Sequence, residues 1–115
     1  MNDAAGFLPL PTATFHILVA LSDADRHGYG IMQEVAQRTS GRTKLNPGTL
    51  YTTIQRLLEK DLIVEIDTRV DPGDDERRRY YRLTPLGRRI AQAELARLSE
   101  LVALGRHAGL APKRT

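Results

Sequence analysis

Residues 48–56 carry hydroxyl, amide and guanidinium groups at spacings that would gather them on one face of a helix. At about 100° per residue, the apolar face of this helix consists of Leu50, Ile54, Leu57 and Leu58. The opposite face carries Gly48, Thr49, Thr52, Gln55, Arg56 and Glu59, with Tyr51 at its border. Glutamine can pair with adenine through two hydrogen bonds, arginine can do the same with guanine, and threonine can contact a thymine methyl group. The spacing therefore favours a helix that approaches base edges, and the alternative is an ordinary solvated helix face.

A second group of cationic side chains lies beside a turn at 71–74. Arg77, Arg78 and Arg79 follow this turn, and guanidinium groups in such a place can bind phosphates across a groove. Strand alternation turns Arg77 and Arg79 toward the core face and Arg78 outward with Arg82, so we rank Arg78 above its neighbours. The predicted DNA-backbone contacts are Lys44, Arg77, Arg78 and Arg82. The alternative is that the arginine run pairs with the acidic residues just upstream.

Four helices and one hairpin are predicted to position these groups. The helix from Pro47 to about Lys60 has the clearest start, because Asn46 is a good N-cap and proline at the first helical position loses no hydrogen bond. Thr84 and Pro85 repeat this signal at the last helix. The other predicted elements are a helix capped by Thr12 or Thr14 and broken by Asp23, a helix from about Gly28 to Thr39, strands at 62–66 and 79–83, and the last helix, which extends to about Leu104.

Apolar spacing also predicts which side chains face the core. The inward residues of the second helix are predicted to be Tyr29, Met32, Val35 and Ala36. The inward residues of the two strands are predicted to be Leu62, Val64 and Ile66, and Tyr81 and Leu83. The chain has 115 residues and a mass of 12.9 kDa, which is enough for one domain with one core.

Three helices followed by a two-stranded hairpin are the layout of a winged helix-turn-helix, whose third helix enters the major groove. The predicted fold class is therefore mainly α (α+β). We divide the chain into an N-terminal arm at 1–11, a DNA-binding domain at 12–84, a C-terminal dimerisation helix at 85–108 and a flexible tail at 109–115. The same layout also serves in protein-interaction modules without specific DNA binding, and this is the alternative function.

The last predicted helix carries two apolar seams, turned by roughly 120° from each other. One seam is Leu86, Ile90, Ala93, Leu101 and Leu104, and the other is Ala91, Leu95, Leu98 and Val102. A helix that lies on its own domain needs only one apolar stripe. Two stripes predict two partners, the helix's own domain and a second subunit, although a helix buried within the monomer is the alternative. A symmetric dimer would bind an inverted-repeat operator.

Four motifs in the right order resemble the PadR family of bacterial transcriptional regulators. They are His27-Gly-Tyr-Gly-Ile31, Gly48-Thr-Leu-Tyr51, Leu57-Leu-Glu-Lys-Asp-Leu-Ile63, and Tyr80-Tyr-Arg-Leu-Thr84 with Gly87-Arg88, and the match runs from about residue 15 to 95. The resemblance implies a homodimeric repressor that acts on a nearby promoter and is often released by a small molecule. It also implies DNA contacts from Tyr29, Thr49 and Tyr51. The chain resembles the short branch of this family, with a single C-terminal helix.

An effector site would be expected between the C-terminal helices and the first helix. The residues predicted for it are Phe7, Phe15 and Leu98, and the expected ligand is a small aromatic molecule. Catalysis finds little support, because the chain has no cysteine and its three histidines have no metal-ligand partner at suitable spacing. We therefore predict no catalytic residue, no metal and no cofactor. The longest apolar run, 17–21, is far short of the roughly 20 residues of a membrane span, so a cytoplasmic protein is expected.

The charges are unevenly placed along the chain. The formal net charge is only +3, yet residues 61–76 sum to −6 and residues 77–97 to +6. Charge alone also suits a solvated hairpin whose two flanks pair with each other. The sharper interpretation is a basic surface formed by 42–60 and 77–89 that faces a polyanion, with the acidic wing tip at 71–76 angled away from it.

Overall fold

The structure is a computed structural model that describes residues 3–66 and 79–111. It confirms a mainly helical fold with a small antiparallel sheet. Its helices are a 3-10 helix at Asp3–Phe7, α1 at Thr12–Ala20, α2 at Gly28–Arg38, α3 at Pro47–Glu59 and α4 at Pro85–His107. Its strands are β1 at Arg26–His27, β2 at Ile63–Ile66 and β3 at Tyr80–Leu83. Within the described ranges, no helix is both long and apolar enough to cross a membrane.

Side-chain caps begin three of the four α-helices. The predicted caps of α3 and α4 are confirmed, since Asn46 Oδ1 accepts from the Thr49 N–H at 2.8 Å and Thr84 Oγ1 accepts from the Gly87 N–H at 2.9 Å. The cap of α2 is His27, whose Nδ1 accepts from the Gly30 N–H at 2.9 Å. The predicted threonine cap of α1 is wrong, because α1 begins directly after Pro11 and both Thr12 and Thr14 lie inside it.

The sheet has three strands in the order β1-β3-β2, and both pairs are antiparallel. The hairpin of β2 and β3 was predicted, and Ile63 lies opposite Leu83 in it. The strand β1 was not predicted; it has only two residues and pairs His27 with Tyr80. Because β1 leads directly into α2, the sheet ties the start of α2 to the wing.

The core lies where α1, α2 and α3 meet the sheet and the first half of α4. Its most deeply buried apolar residues are Ile17, Leu18, Ile31, Leu50, Leu62, Ile63 and Ile90. The predicted inward positions of Tyr29 and Val64 are wrong, since these side chains are 58% and 40% exposed. Tyr29 lies on the opposite side of α2 from the buried Ile31 and Val35. Leu62 lies in the turn before β2, where its N–H donates to the Leu57 carbonyl. The strand therefore begins one residue later than predicted, with the Ile63 side chain toward the core and the Val64 side chain toward solvent.

The apolar side chains of α4 are buried near the start of the helix and exposed toward its end. In the first half, Ile90 is fully buried in the core of its own protomer, and Leu86 and Ala91 pack against that core. The prediction that Ile90 contacts a second subunit is therefore wrong, because its side chain has no surface left. From residue 95 onward, the leucine and valine side chains of α4 other than the half-buried Leu98 are about half exposed or more. These are Leu95, Leu101, Val102 and Leu104.

One carboxylate, Glu94, is buried on the inner side of α4 and is only 2% exposed. Arg97 donates to both of its oxygens, at 2.7 Å and 2.8 Å, and the backbone N–H of Leu10 donates to Oε2 at 3.3 Å. The hydrogen bonds from Arg97 outweigh burial and lower the pKa of Glu94. Glu94 therefore holds the N-terminal segment, residues 3–11, against α4.

Replacing Glu94 with glutamine should lower the free energy of unfolding by about 1–3 kcal/mol at neutral pH, because the buried charge-assisted bonds are lost. The ion pair contributes fully above the unfolded-state pKa of this carboxyl, near 4.5, and its contribution falls away as the pH drops through the lower folded-state pKa. Urea titrations should therefore show the two proteins converging in acid. The exposed Glu100 on the same helix is the matched control, and Glu100→Gln should change stability by less than about 0.5 kcal/mol. A difference for Glu94→Gln that is independent of pH would contradict this explanation.

Candidate nucleic-acid interface

The α3 helix exposes the set of side chains that the sequence analysis selected. Its core side is formed by Leu50, Ile54 and Leu57, each at most 3% exposed. We define the polar face of α3 as Gly48, Thr49, Tyr51, Thr52, Gln55 and Arg56, all of which are exposed. Gln55 makes only a long hydrogen bond to Glu59, at 3.4 Å, so its amide can exchange this contact for another one. The polar face is thus one contiguous surface with donors and acceptors along two turns.

The N-terminal end of α3 adds a favourable place for an anion. The first backbone N–H groups of a helix have no partner within the helix and carry a partial positive charge. Asn46 satisfies the N–H of Thr49, and the predicted contact Lys44 is exposed in the loop just before it. Gly48 is exposed in the first turn and has no side chain to keep a ligand away from the backbone. This end can therefore approach a phosphate closely.

Two exposed tyrosines connect α3 to the start of α2. The ring of Tyr51 lies against Gly28, where an added Cβ would be 2.5 Å from the tyrosine Oη. Tyr29, one residue further along α2, is exposed like Tyr51, which is 51% exposed. The family resemblance implies that both tyrosines contact DNA. The structure places them near the N-terminal ends of two neighbouring helices, α2 and α3. The close approach at Gly28 explains why a residue without a side chain stands there.

His27 organises this region, a role that apolar spacing did not indicate. Its ring stacks with Tyr29 at a centroid distance of 6.5 Å and meets the edge of Tyr80 at 5.2 Å. The Gly30 N–H bond fixes the orientation of the same ring. His27 thereby joins α2 to β3 and places the exposed Tyr29 beside a wing strand. The available signal was a histidine immediately before a Gly-Tyr-Gly start, which is a position that favours a capping side chain.

The wing differs from the prediction at both described arginines. Arg82 faces outward as expected, but it forms a two-point ion pair with Asp25, at 2.8 Å and 3.1 Å, which lowers the pKa of Asp25. As the structure stands, its guanidinium is already engaged and is not directed at a phosphate. Arg79 was predicted to face the core, yet its side chain is 72% exposed and lies 3.8 Å from Glu65, because β3 begins only at Tyr80. The predicted contacts Arg77 and Arg78 and the acidic tip at 71–76 lie outside the described residues.

Ion pairs neutralise one side of the domain and leave another side positive. Asp23 and Glu34 pair with Arg26 and Arg38 in one network between the end of α1 and α2. Hydrogen bonds from Arg26 and the charge of Arg38 together outweigh desolvation and lower the pKa of Asp23. Within the described part of the chain, the cations without an ion-pair partner on α3, in the loop before it and at the residue that follows it are Arg42, Lys44, Arg56 and Lys60. The uncompensated charge thus surrounds α3.

The structure does not gather the three predicted effector residues into one described cleft. Phe7 and Phe15 both pack against the core, and Phe7 also lines an open cleft beside the end of α3. Neither Phe15 nor Leu98 belongs to the lining of that cleft. The effector position between the C-terminal helices and the first helix stays a prediction. In the described ranges, no group of three or more histidine, aspartate or glutamate side chains is placed to hold a metal ion.

Comparisons with known proteins agree with this geometry. A family model described as the transcriptional regulator PadR-like family matches residues 17–93. The transcriptional regulator Rv3488 of Mycobacterium tuberculosis is 37% identical over 86 residues, which is 75% of this chain and 75% of that protein. A transcriptional regulator from Clostridium thermocellum has the same fold, with a TM-score of 0.71, 21% identity, and coverage of 93% of this chain and 96% of that one.

A second solved structure is that of Bacillus subtilis PadR in complex with operator DNA. It superposes with a TM-score of 0.65 and 20% identity, over 76% of this chain and 48% of that one. At this identity the match shows a common fold. The matched part is about half of the Bacillus protein, so the present chain corresponds to one portion of it.

Proposed function

The chain belongs to the PadR-like family of transcriptional regulators, and we propose that it is a homodimeric repressor that binds an inverted-repeat operator. The observation that carries this proposal is the polar face of α3. It is exposed along two turns, lies beside an N-terminal end suited to phosphate, and is surrounded by cations without ion-pair partners among the described residues. Base contacts from Thr49, Thr52, Gln55 and Arg56 would supply sequence specificity.

Contacts to the DNA backbone form the second part of the proposal. Lys44 and the N-terminal end of α3 would bind phosphates on one side, and Arg77 and Arg78 of the wing on the other. Tyr29 and Tyr51 would lie between them, where their hydroxyl groups can donate to phosphate oxygens. Arg82 takes part only by exchanging Asp25 for a phosphate. Its principal role in this proposal is to hold β3 against the turn that precedes α2.

Fluorescence anisotropy with DNA from upstream of the protein's own gene tests this function directly. We expect specific binding that weakens steeply between 50 and 200 mM salt, because each phosphate contact releases a counterion. A scrambled duplex of equal length should bind more weakly, by roughly 10³-fold or more for a specific regulator. Equal affinity for both duplexes, or affinity that does not respond to salt, would contradict operator recognition.

The homodimer is supported by the second half of α4. Leu95, Leu101, Val102 and Leu104 are exposed there on a helix of 23 residues, and exposed apolar side chains in such a group are typical of an interaction surface. A second copy of the same helix offers a complementary apolar surface and the two-fold symmetry that an inverted repeat requires. Leu98, half-buried beside them, would complete this surface.

Replacing Leu101 and Val102 together with glutamate should convert the dimer to a monomer, because four like charges would be brought into one apolar interface. Sedimentation velocity at micromolar concentration would measure the change. Ala103→Glu is the matched control, since Ala103 is exposed on the opposite side of the same helical turn and should leave the dimer intact. A monomeric wild-type protein, or a double variant that stays dimeric, would contradict this interface.

A further inference from the structure

Glu94 is the last point at which α4 is held by its own domain. It is the most C-terminal buried residue of this helix. Among the described residues, the apolar side chains of α4 that lie in the core or pack against it all precede Glu94, and they are Leu86, Ile90 and Ala91. Residues 95–107 are exposed or half-buried, and at 1.5 Å per residue they extend about 20 Å beyond Glu94. The direction of this extension therefore depends on how Glu94 is held.

The contacts of Glu94 fix one geometry. Arg97 donates from Nε to Oε1 and from Nη2 to Oε2, and the backbone N–H of Leu10 donates to Oε2 from the other side. A two-point pair between a guanidinium and a carboxylate is directional, whereas an apolar contact allows two surfaces to slide. Replacing a whole buried ion pair by apolar residues is often neutral for stability, so the orientation that the carboxylate fixes explains its presence better than stability does.

The N-terminal segment connects this contact to the end of α3. Its 3-10 helix packs against α4, and Leu10 belongs to the core. The ring of Phe7 lies 5.8 Å from the ammonium group of Lys60, the residue that follows α3. The segment thus spans from the end of α3 to the middle of α4. It braces the two helices against each other at the point where α4 leaves the core.

We propose that Glu94 is a positioning residue that fixes the angle at which α4 leaves the domain, and thereby the spacing between the two α3 helices of the dimer. This role rests on the proposed homodimer and on the proposed binding of α3 to DNA. A tilt of about 10° at Glu94 would move the far end of α4 by about 3–4 Å, which is close to one base-pair step. In a dimer joined through the second half of α4, a fixed angle in each protomer selects operators with one half-site spacing.

A distance measurement without DNA tests the geometry. The chain contains no cysteine, so Thr52→Cys on the exposed face of α3 carries a spin label at one site in each protomer. Double electron–electron resonance should give one narrow distance between the two labels of the dimer. Glu94→Gln should broaden this distribution by about twofold, because the two-point pair with Arg97 is lost. Glu100→Gln, an exposed change on the same helix, is the matched control and should leave the distribution narrow.

Binding to operators of altered spacing is the second measurement. Half-sites placed one base pair closer or further apart should weaken wild-type binding by about tenfold or more, because a rigid dimer must give up base contacts in one half-site. Glu94→Gln should reduce this penalty to about threefold or less, while a single half-site should bind both proteins equally within about twofold. Arg97→Gln removes the other half of the pair and should act in the same way. A loss of stability alone lowers binding to every duplex alike and leaves the ratio between duplexes unchanged.

The outcomes separate this role from the proposed function. An equally narrow distance distribution in Glu94→Gln, or an unchanged spacing penalty in a variant that is still dimeric, would overturn it even if the operator is bound with full specificity. A dimeric wild type that binds no specific duplex would contradict the proposed function, and the label distances would still decide whether Glu94 fixes the geometry. If Glu94→Gln does not fold, Arg97→Gln carries the same two measurements. A monomeric wild type would overturn both proposals.

Discussion

Replacing Gln55 and Arg56 together with alanine should weaken specific operator binding by about 30-fold to 10⁴-fold. Each paired contact to a base edge contributes about 1–3 kcal/mol of discrimination, and every 1.4 kcal/mol corresponds to a factor of ten. Both side chains are exposed on α3, and among the described residues Gln55 forms one hydrogen bond, the long one to Glu59. The fold should therefore survive, and anisotropy with operator and scrambled duplexes would measure the loss of specificity.

The control for this variant removes the same two residue types from another helix. Arg89 and Gln92 are exposed on the outer side of α4, so Arg89→Ala with Gln92→Ala makes the same change in net charge and composition. Operator affinity of the control should remain within about threefold of the wild type. Gln55→Ala alone should also weaken operator binding, by the loss of one base contact. If the α3 variant keeps full affinity, the alternative of a winged-helix protein-interaction module gains support.

Replacing Gly87 with alanine should lower the free energy of unfolding by about 3 kcal/mol or more. A Cβ at this position would lie 2.0 Å from the carbonyl oxygen of Leu62 and 2.9 Å from Leu83 Cδ1. The Leu62 carbonyl cannot retreat easily, because it accepts hydrogen bonds from the N–H and the hydroxyl of Thr84. The start of α4 would have to move away from β2, and such overpacking is among the few causes of large single-residue losses.

Gly105→Ala provides the matched control on the same helix. Nothing lies within 4 Å of a Cβ at Gly105, and alanine in a helix is favoured over glycine by roughly 0.5–1 kcal/mol. Urea unfolding followed by far-ultraviolet circular dichroism should therefore show opposite changes for the two variants. Similar stabilities for Gly87→Ala and the wild type would mean that α4 does not pack as closely on the Leu62 carbonyl as described.

The α3 helix was the most predictable part of the molecule. Asn46 and Pro47 define its start, and the apolar spacing of its core residues defines which face is exposed. These signals act within two turns of one helix, so they do not depend on the rest of the chain. The hairpin and α4 were predictable for the same reason, since Thr84 and Pro85 mark the boundary between them.

The errors occur where a side chain depends on a distant neighbour. Tyr29 has helical spacing with Met32 and Ala36, but the buried face of α2 is the one that carries Ile31 and Val35. Arg82 has the outward orientation expected of it, and its DNA contact stays a prediction; what the sequence did not indicate is its ion pair with Asp25. Glu94 lies on α4 where only an exposed position would be expected for a carboxylate, and Arg97 and the Leu10 N–H make its burial tolerable.

By itself, the sequence determined the four α-helices, the caps of α3 and α4, the order of the winged fold, the polar face of α3 and the resemblance to a family of regulators. These depend on residue types within a few positions of one another. Only the tertiary structure decided that β1 completes the sheet, that Ile90 belongs to the protomer core, and that Phe7 lies beside the end of α3. The physical reason is that such features require contacts across long stretches of chain, 57 residues for Asp25 with Arg82 and 84 for Leu10 with Glu94. Local propensity carries no information about which of the many distant partners will meet.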